Sequence, residues 1–336
     1  RDRIIANTPG VTVALDHLTI ANGNKVNADG GGILSNQGNV TVTNSTLLNN
    51  TAVRGGAILN DGGAVTITNS TFSGNTANSG GGGINNSAGT LSIINVTLVD
   101  NNQYAIFNSG IFQTTNSLIY NHGLPSCLNN GGSVQSIDTF IEDGSCQANY
   151  SGSLTLGPLG YYGGTTQTYA LLPGSSVINR AGSTAIATDQ RGKPRVGASD
   201  LGAFESQGFI LAITGGNNQS ANINQAFTAP LTVSVTPNNT AELTSGGTVS
   251  FSSPSTGASA SFTSTTATIS SGQASLNAIA NNIAGSYQVS ASTVPGNTVN
   301  FNLSNLSAPI AQANAATSIT TNSATINGSE IGRAHV

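Results

Sequence analysis

Tryptophan and methionine are missing from this 336-residue chain, and charge is scarce: Lys, Arg, Asp and Glu together make up 7% of it. Ordinary globular proteins carry about 25%. A net charge of −4 over this length leaves no basic stripe for nucleic acid and no polybasic patch for an anionic membrane. From Ser206 to Ser329 the one charged side chain is Glu242. No run of about 20 apolar residues occurs, so the sequence contains no membrane-spanning helix and membrane insertion is not expected. Aromatics stand at 5%, too few for a broad sugar-stacking surface. Disordered chains share such poverty, but they pair it with high net charge and few β-branched residues. Here Val, Ile and Thr are abundant and Gly numbers 42, which points to extracellular β-structure.

What is present is a repeat. Residues 11–120 read VTVALDHLTIANGN, VTVTNSTLLNNTAVRGGAIL, VTITNSTFSGNTANSGGGGIN, LSIINVTLVDNNQYAIF and FQTTNSLIYNH. Ile33, Ile58, Ile84 and Ile106 recur at intervals of 25, 26 and 22 residues, and Asn44, Asn69, Asn95 and Asn116 at 25, 26 and 21. Self-similarity at this period marks a solenoid. Each unit holds runs of three to five residues that alternate inward aliphatics with outward Thr, Ser or Asn, the pattern of strands with one buried face. Such strands bury a core only by stacking in parallel register at about 4.8 Å per coil. The predicted fold is therefore all-β, a parallel β-helix with Ile33, Ile58, Ile84 and Ile106 as its core column. In this frame Asn44, Asn69, Asn95 and Asn116 lie over one another and are predicted to form an internal amide ladder, with Asp16 in the first position of the column. A second asparagine follows six residues later in most units, at Asn22, Asn50, Asn75 and Asn101. The glycines before each isoleucine suit corners with positive φ or close backbone approach.

The motif GGGI…TVTNSTxxxN resembles bacterial polymorphic outer-membrane-protein repeats and related right-handed β-helix surface proteins. Farther on, LGPL at 156–159, GGTTQTYALLPGSSVIN at 163–179, DQRG at 189–192 and DLGAFE at 200–205 resemble the C-terminal part of choice-of-anchor Q, or CSLREA-associated, surface proteins. That resemblance implies a cell-surface β-helix with this segment as its final coils and cap, and no assigned catalysis. Between the two stretches lie the chain's two cysteines, Cys127 and Cys146. In a chain of extracellular character they are expected to form a disulfide. A zinc site is disfavoured because His122 alone lies near. Asp189, Arg191, Arg195 and Asp200 are expected to pair and to pin irregular loops over the open end of the solenoid.

At Ser206 the repeat stops. Runs at 231–235, 248–253, 267–280, 285–293 and 299–305, separated by turn residues, predict a β-sandwich over 206–305. AGSYQVSAS at 284–292 is similar to bacterial Ig-like repeats of adhesins and stalks. The domain order expected is thus coils at 1–120, disulfide loop and cap at 121–205, and sandwich at 206–305. Residues 306–329 read as the start of a further, fibronectin-III-like module, expected to be loose and unpaired. EIGRAHV at 330–336 looks like a sequencing adapter read in frame and is set aside, His335 with it; the chain is expected to be a piece of a longer one.

The search for chemistry comes back thin. Glycoside hydrolysis needs two carboxylates about 5–9.5 Å apart on one cleft, and Asp16, Asp29, Asp61 and Asp100 fall one to a coil without sharing a column. His17 reads as a corner residue, aligned with Ser, Ser and Val in later coils. His122 has no convincing acidic partner, and no G-x-S-x-G occurs. The glycine runs lead into no helix and no Lys-Ser/Thr pair, so they are corners and not phosphate loops. No cofactor, metal site or catalytic residue is predicted. The expectation is a non-catalytic extracellular or bacterial cell-surface protein, structural and adhesin-like, with an extracellular glycan or a host or cell-surface protein as partner. The competing expectation is a carbohydrate-active β-helix enzyme, lyase or glycosidase, whose catalytic coils lie outside this sequence.

Overall fold

A computed structural model of the chain describes residues 3–6, 9–182, 186–307, 310–317, 319–323 and 325–331. Among them there is no helix. The chain divides into two units: residues 1–208 with 237–243, and residues 209–236 with 244–336.

The first unit is a parallel β-solenoid of about five turns. Short strands fall into three stacked sheets because each coil repeats the same alternation of apolar and hydroxyl residues. One sheet stacks Thr19–Ala21, Thr46–Leu48, Thr71–Ser73, Thr97–Val99, Leu118–Tyr120 and Phe140–Ile141, all parallel. The largest sheet carries the isoleucine column, in which Ile4, Ile33, Ile58, Ile84, Ile106 and Cys127 pair successively. Ile33, Ile58, Ile84 and Ile106 are fully buried, as the period predicts. Beside them run Val40–Val65–Leu91–Phe112 and Leu47–Phe72–Leu98–Ile119. These columns are one apolar cluster, which at about 25 cal/mol per Å² of buried apolar surface is what holds the coils together. Close backbone approach explains the glycines: a Cβ on Gly31 or Gly56 would collide with the carbonyl oxygen of the coil above, Gly56 and Gly82 respectively. Gly30, Gly55 and Gly80 adopt φ between 63° and 77°, a region other residues reach only at a cost.

The end of the stack is closed by residues 142–150. Cys146 and Ala148 pack on the core, and Cys127 is bonded to Cys146 across 19 residues. The disulfide therefore continues the isoleucine column and fastens the plug to it. On the loop-closure scale, reduction is expected to lower the unfolding free energy of this unit by about 3 kcal/mol. Urea unfolding with and without dithiothreitol measures it; an unchanged midpoint refutes the plug as a stabilising element.

Residues 154–206 depart from expectation. The described parts, 154–182 and 186–206, do not cap the end; they run back along the flank of the solenoid as a strap over the six-stranded sheet of Thr46–Leu48 and its stacked neighbours. Leu154, Tyr162, Leu171, Val177, Ile178, Leu201 and Phe204 pack on Val99, Leu118, Tyr120 and Phe140. The reason is chemical: the outward column Thr46–Thr71–Thr97 on that sheet offers hydroxyls, and the strap uses them, as set out below.

In the second unit, Phe209–Gly215, Leu231–Pro237 and Gln273–Leu276 form one sheet. Gln219–Asn222, Thr298–Leu306, Gly285–Ser292, Thr248–Ser252 and Thr266–Thr268 form another. Inward residues of both, among them Leu211, Val233, Val249, Phe251, Val289 and Phe301, share one core. The run at 267–280 is broken into three pieces, at Thr266–Thr268, Gln273–Leu276 and Ile279–Ala280, because Ser271 and Gly272 turn with positive φ. The expected loose tail is instead a hairpin: Ile310–Thr317 pairs antiparallel with Thr325–Ile331, so that Glu330 and Ile331 of the adapter-like stretch lie in a strand. Residues 332–336, with His335, fall outside the described residues.

Candidate functional site

The strap is anchored on the threonine column. The Thr46 hydroxyl donates to the Gln167 carbonyl (2.5 Å), and Thr71 Oγ1 meets Thr168 Oγ1 (2.9 Å) and Gln190 Oε1 (2.6 Å). The Ala203 amide donates to Thr97 Oγ1 at 2.9 Å. Tyr169 reaches the Ser73 hydroxyl at 2.7 Å, and burial raises its phenol pKa.

Beneath the strap lies a buried charge cluster. The fully buried Arg191 guanidinium pairs with Asp189 (2.8 Å) and Glu242 (3.3 Å) and stacks on the Phe204 ring at 3.6 Å. Arg195 pairs with Glu205 (3.2 Å) and donates to the Asp200 main-chain carbonyl. The expected pair Asp189–Arg191 is present. The expected pair between Arg195 and the Asp200 carboxylate is not: Asp200 instead accepts the amides of Asn179 (2.8 Å) and Ser206 (2.7 Å), because its turn aims the carboxylate inward at backbone. Glu242 is a cluster member that the sequence reading missed, and Glu205, seen in DLGAFE among the interspersed carboxylates, is the partner of Arg195 that it did not single out.

Four carboxylates here face two guanidinium groups. Burial, with the Glu205 charge beside it, pushes Asp200 up to about 8, and burial raises Glu205 and Glu242 as well. The folded chain therefore binds a proton at Asp200 between its ordinary value of 3.8 and about 8 that the unfolded chain has released. Stability is fully present below the lower value and is lost as pH rises through the upper one. Calorimetry should show the transition of this unit moving to lower temperature from about pH 4 to about pH 8, with Asp200→Asn flattening the change. A transition that rises with pH over this window rules the protonated cluster out.

The predicted asparagine column has a different role from the one expected. Asn44, Asn69, Asn95 and Asn116 all have φ between 45° and 52°, so they are left-handed corner residues. His17 shares that conformation at 53°, and the register Asp16↔Thr43 puts His17, and not Asp16, in the column. Their amides point outward or to the strap. Asn44 Nδ2 donates to Asp16 (3.0 Å), Asn69 bonds Thr188 and Arg195, and Asn116 bonds Gly182. Neither amide atom of Asn95 has a hydrogen-bond partner among the described residues. The true ladder is the second asparagine series. Asn50 Nδ2 donates to Asn75 Oδ1 (3.0 Å) and Asn75 Nδ2 to Asn101 Oδ1 (2.9 Å); the Asn101 amide donates to Asn121 Oδ1 (2.7 Å). In the first coil its place is held by Gly23, whose amide donates to Asn50, and not by Asn22. A parallel ladder, Asn60–Asn86–Asn108–Asn129, went unread although it sits two residues after each core-column residue.

Two histidine–carboxylate pairs lie at exposed corners. His17 Nδ1 is 2.7 Å from Asp16, whose carboxyl is held at about 2, chiefly by the Thr43 hydroxyl. His122 Nδ1 contacts Asp100, with Tyr120 edge-on at 4.6 Å between centroids. His122 thus has the acidic partner that the sequence did not reveal, since 22 residues separate the two.

Among the described residues, one face carries no strap. On the strands Asn39–Thr43, Ile58–Thr68, Gly81–Ile94, Ile111–Thr115 and Ser133–Ile137, the outward residues are half-exposed or exposed. They form columns such as Thr41–Thr66–Ser92–Gln113–Gln135 and Thr43–Thr68–Ile94–Thr115–Ile137. Among the described residues no cluster of three or more His, Cys, Asp or Glu side chains could hold a metal ion, and no helix is long and apolar enough to cross a membrane. No protein-family model, no curated protein and no solved structure matches the chain.

Proposed function

We infer that this is a non-catalytic, secreted or bacterial cell-surface protein, structural and adhesin-like. In this reading a right-handed β-helix presents a polar face, and Ig-like sandwich modules act as its spacer. One observation carries the reading. The coils are fixed by internal amide ladders, a disulfide plug and a flank strap, while one outward sheet keeps its Thr, Ser and Gln side chains uncovered. A stack so braced is a rigid display surface. The resemblance to choice-of-anchor Q surface proteins and to Ig-like stalk repeats supports the same reading, with an extracellular glycan or a cell-surface protein as partner.

Antibody labelling of intact cells that express an epitope-tagged full-length protein tests the location. Labelling without permeabilisation is expected; labelling that requires permeabilisation overturns the proposal. The competing reading, a carbohydrate-active enzyme, draws on the His122–Asp100 pair beside Tyr120. Depolymerisation of a polysaccharide by the purified chain, lost in His122→Ala, would favour it instead.

A further inference from the structure

The two threonine arrays of the solenoid are used differently. On the strapped sheet the hydroxyls of Thr46 and Thr71 and the Oγ1 of Thr97 bond the strap. On the open face the hydroxyls of Thr41, Thr66, Thr68, Thr90 and Ser92 take part in no hydrogen bond with another described residue, and all five side chains are half-exposed.

Their placement is a lattice. Thr41↔Thr66↔Ser92 and Thr43↔Thr68 are in direct register, and the stretches that carry them pair without a bulge. Parallel pairing fixes the spacing between coils at about 4.8 Å and between alternate residues of one strand at about 6.6 Å. The five free hydroxyls fall on three successive strands and three outward columns, a field of roughly 10 by 13 Å on those repeats that they share with Asn39, Thr43, Ala64 and Ile94. Threonine is stiff at χ1, so in-register copies on a regular sheet hold hydroxyl and methyl in the same orientation down a column.

A regular two-dimensional array of this kind gains over a random polar surface only against a partner with a regular lattice of its own. Charge selects the partner. Beyond Asp16 at the first coil the three outward columns bear no ionisable side chain, and Asp61 stands exposed farther back on the strand that carries Thr66; so sparse a charge, and of one sign, disfavours ionic minerals, nucleic acid and anionic lipid. It bears no aromatic ring either, and so lacks the platform on which sugar rings stack. What remains is a neutral, hydrogen-bonded lattice whose oxygen rows accept hydroxyls while the methyls order the water between them. We propose that the open sheet face is an ice-binding surface centred on Thr41, Thr66, Thr68, Thr90 and Ser92. The proposal rests on the coil stack and not on surface display, so it stands or falls separately from the location experiment above.

The test uses the purified full chain. Expected results are a gap between melting and freezing points in a nanolitre osmometer, faceting of a single ice crystal, and partition of the protein into a slowly grown ice hemisphere. Thr66→Lys and Ser92→Lys place charge at the centre of the face, on outward positions that the core does not use. Each is expected to abolish the gap with an unchanged melting transition, whereas Ser220→Lys in the second unit is expected to leave it intact. Absence of all three effects in the folded wild-type chain overturns the proposal, as does activity that survives both lysine variants. Retention on crystalline cellulose or chitin without any effect on ice also overturns it, and assigns the lattice to a polysaccharide.

Discussion

Replacing Arg191 by alanine is expected to destabilise the first unit by about 3–5 kcal/mol, the range for removing one partner of a buried ion pair. The side chain is fully buried, its guanidinium lies between Asp189 and Glu242, and it donates to the carbonyls of Tyr162 and Glu205. Alanine leaves two buried carboxylates without the cation they share and removes the stack on Phe204. Lysine restores a charge but lacks the planar fork that serves several acceptors at once, so Arg191→Lys should recover only part of the loss. The decisive comparison adds Asp189→Asn and Glu242→Gln to Arg191→Leu. If uncompensated charge is the cause, the triple variant is more stable than Arg191→Leu alone. Calorimetric transitions of the four proteins measure this. A loss below about 1 kcal/mol in Arg191→Ala, the level of a surface pair, would mean that the cluster is not closed to water.

The cluster also shows what the sequence conveyed and where it stopped. Asp189 and Arg191 are two residues apart, and their pairing was legible because the turn between them leaves little choice. Arg195 has Asp200 and Glu205 within ten residues, and only the turn at 197–202 decides which carboxylate it meets. The core column was legible for a different reason: a period near 25 residues, repeated in parallel register, forces like to stack on like. Ile33, Ile58, Ile84 and Ile106 therefore needed no geometry beyond counting. The strap has no period. Its motif could be recognised, but its course along the threonine flank depends on contacts up to 144 residues apart in sequence, as between Gln190 and Thr46. The Asp100–His122 pair escaped for the same reason, because adjacency in a solenoid is adjacency between coils.

Asparagine recurrence is where counting misled. Two asparagines per coil recur equally well, and residue type alone cannot say which is the corner and which is the rung, since asparagine both tolerates left-handed backbone and ladders through its amide. Substitution separates the two roles. Asn75 is fully buried; its Oδ1 accepts from the Asn50 amide and Asn50 Nδ2, while its Nδ2 donates to the Leu47 carbonyl and Asn101 Oδ1. Asn75→Ala breaks four buried hydrogen bonds, taking the side-chain acceptor from the Asn50 amide and the side-chain donor from the Leu47 carbonyl while Asn50 Nδ2 keeps the Ile20 carbonyl and Asn101 Oδ1 keeps the Asn75 amide; a buried group left unpaired costs about 1–3 kcal/mol. Even with relaxation the variant should lose on the order of 4 kcal/mol, since the neighbouring rungs are polarised by the one removed. Asn95, equally buried, is the contrasting case. Both of its amide atoms lack a partner among the described residues and its φ is 52°, so Asn95→Gly removes an amide unsatisfied there and keeps a backbone that glycine adopts freely. Its effect on stability is expected to lie within about 1 kcal/mol of zero, with stabilisation the favoured sign, because the buried polar group it removes is a net cost. Urea midpoints of the two variants should therefore diverge widely although the positions share a residue type and a degree of burial. Equal losses would place Asn95 in a ladder after all and return the corner column to the role that its recurrence suggests.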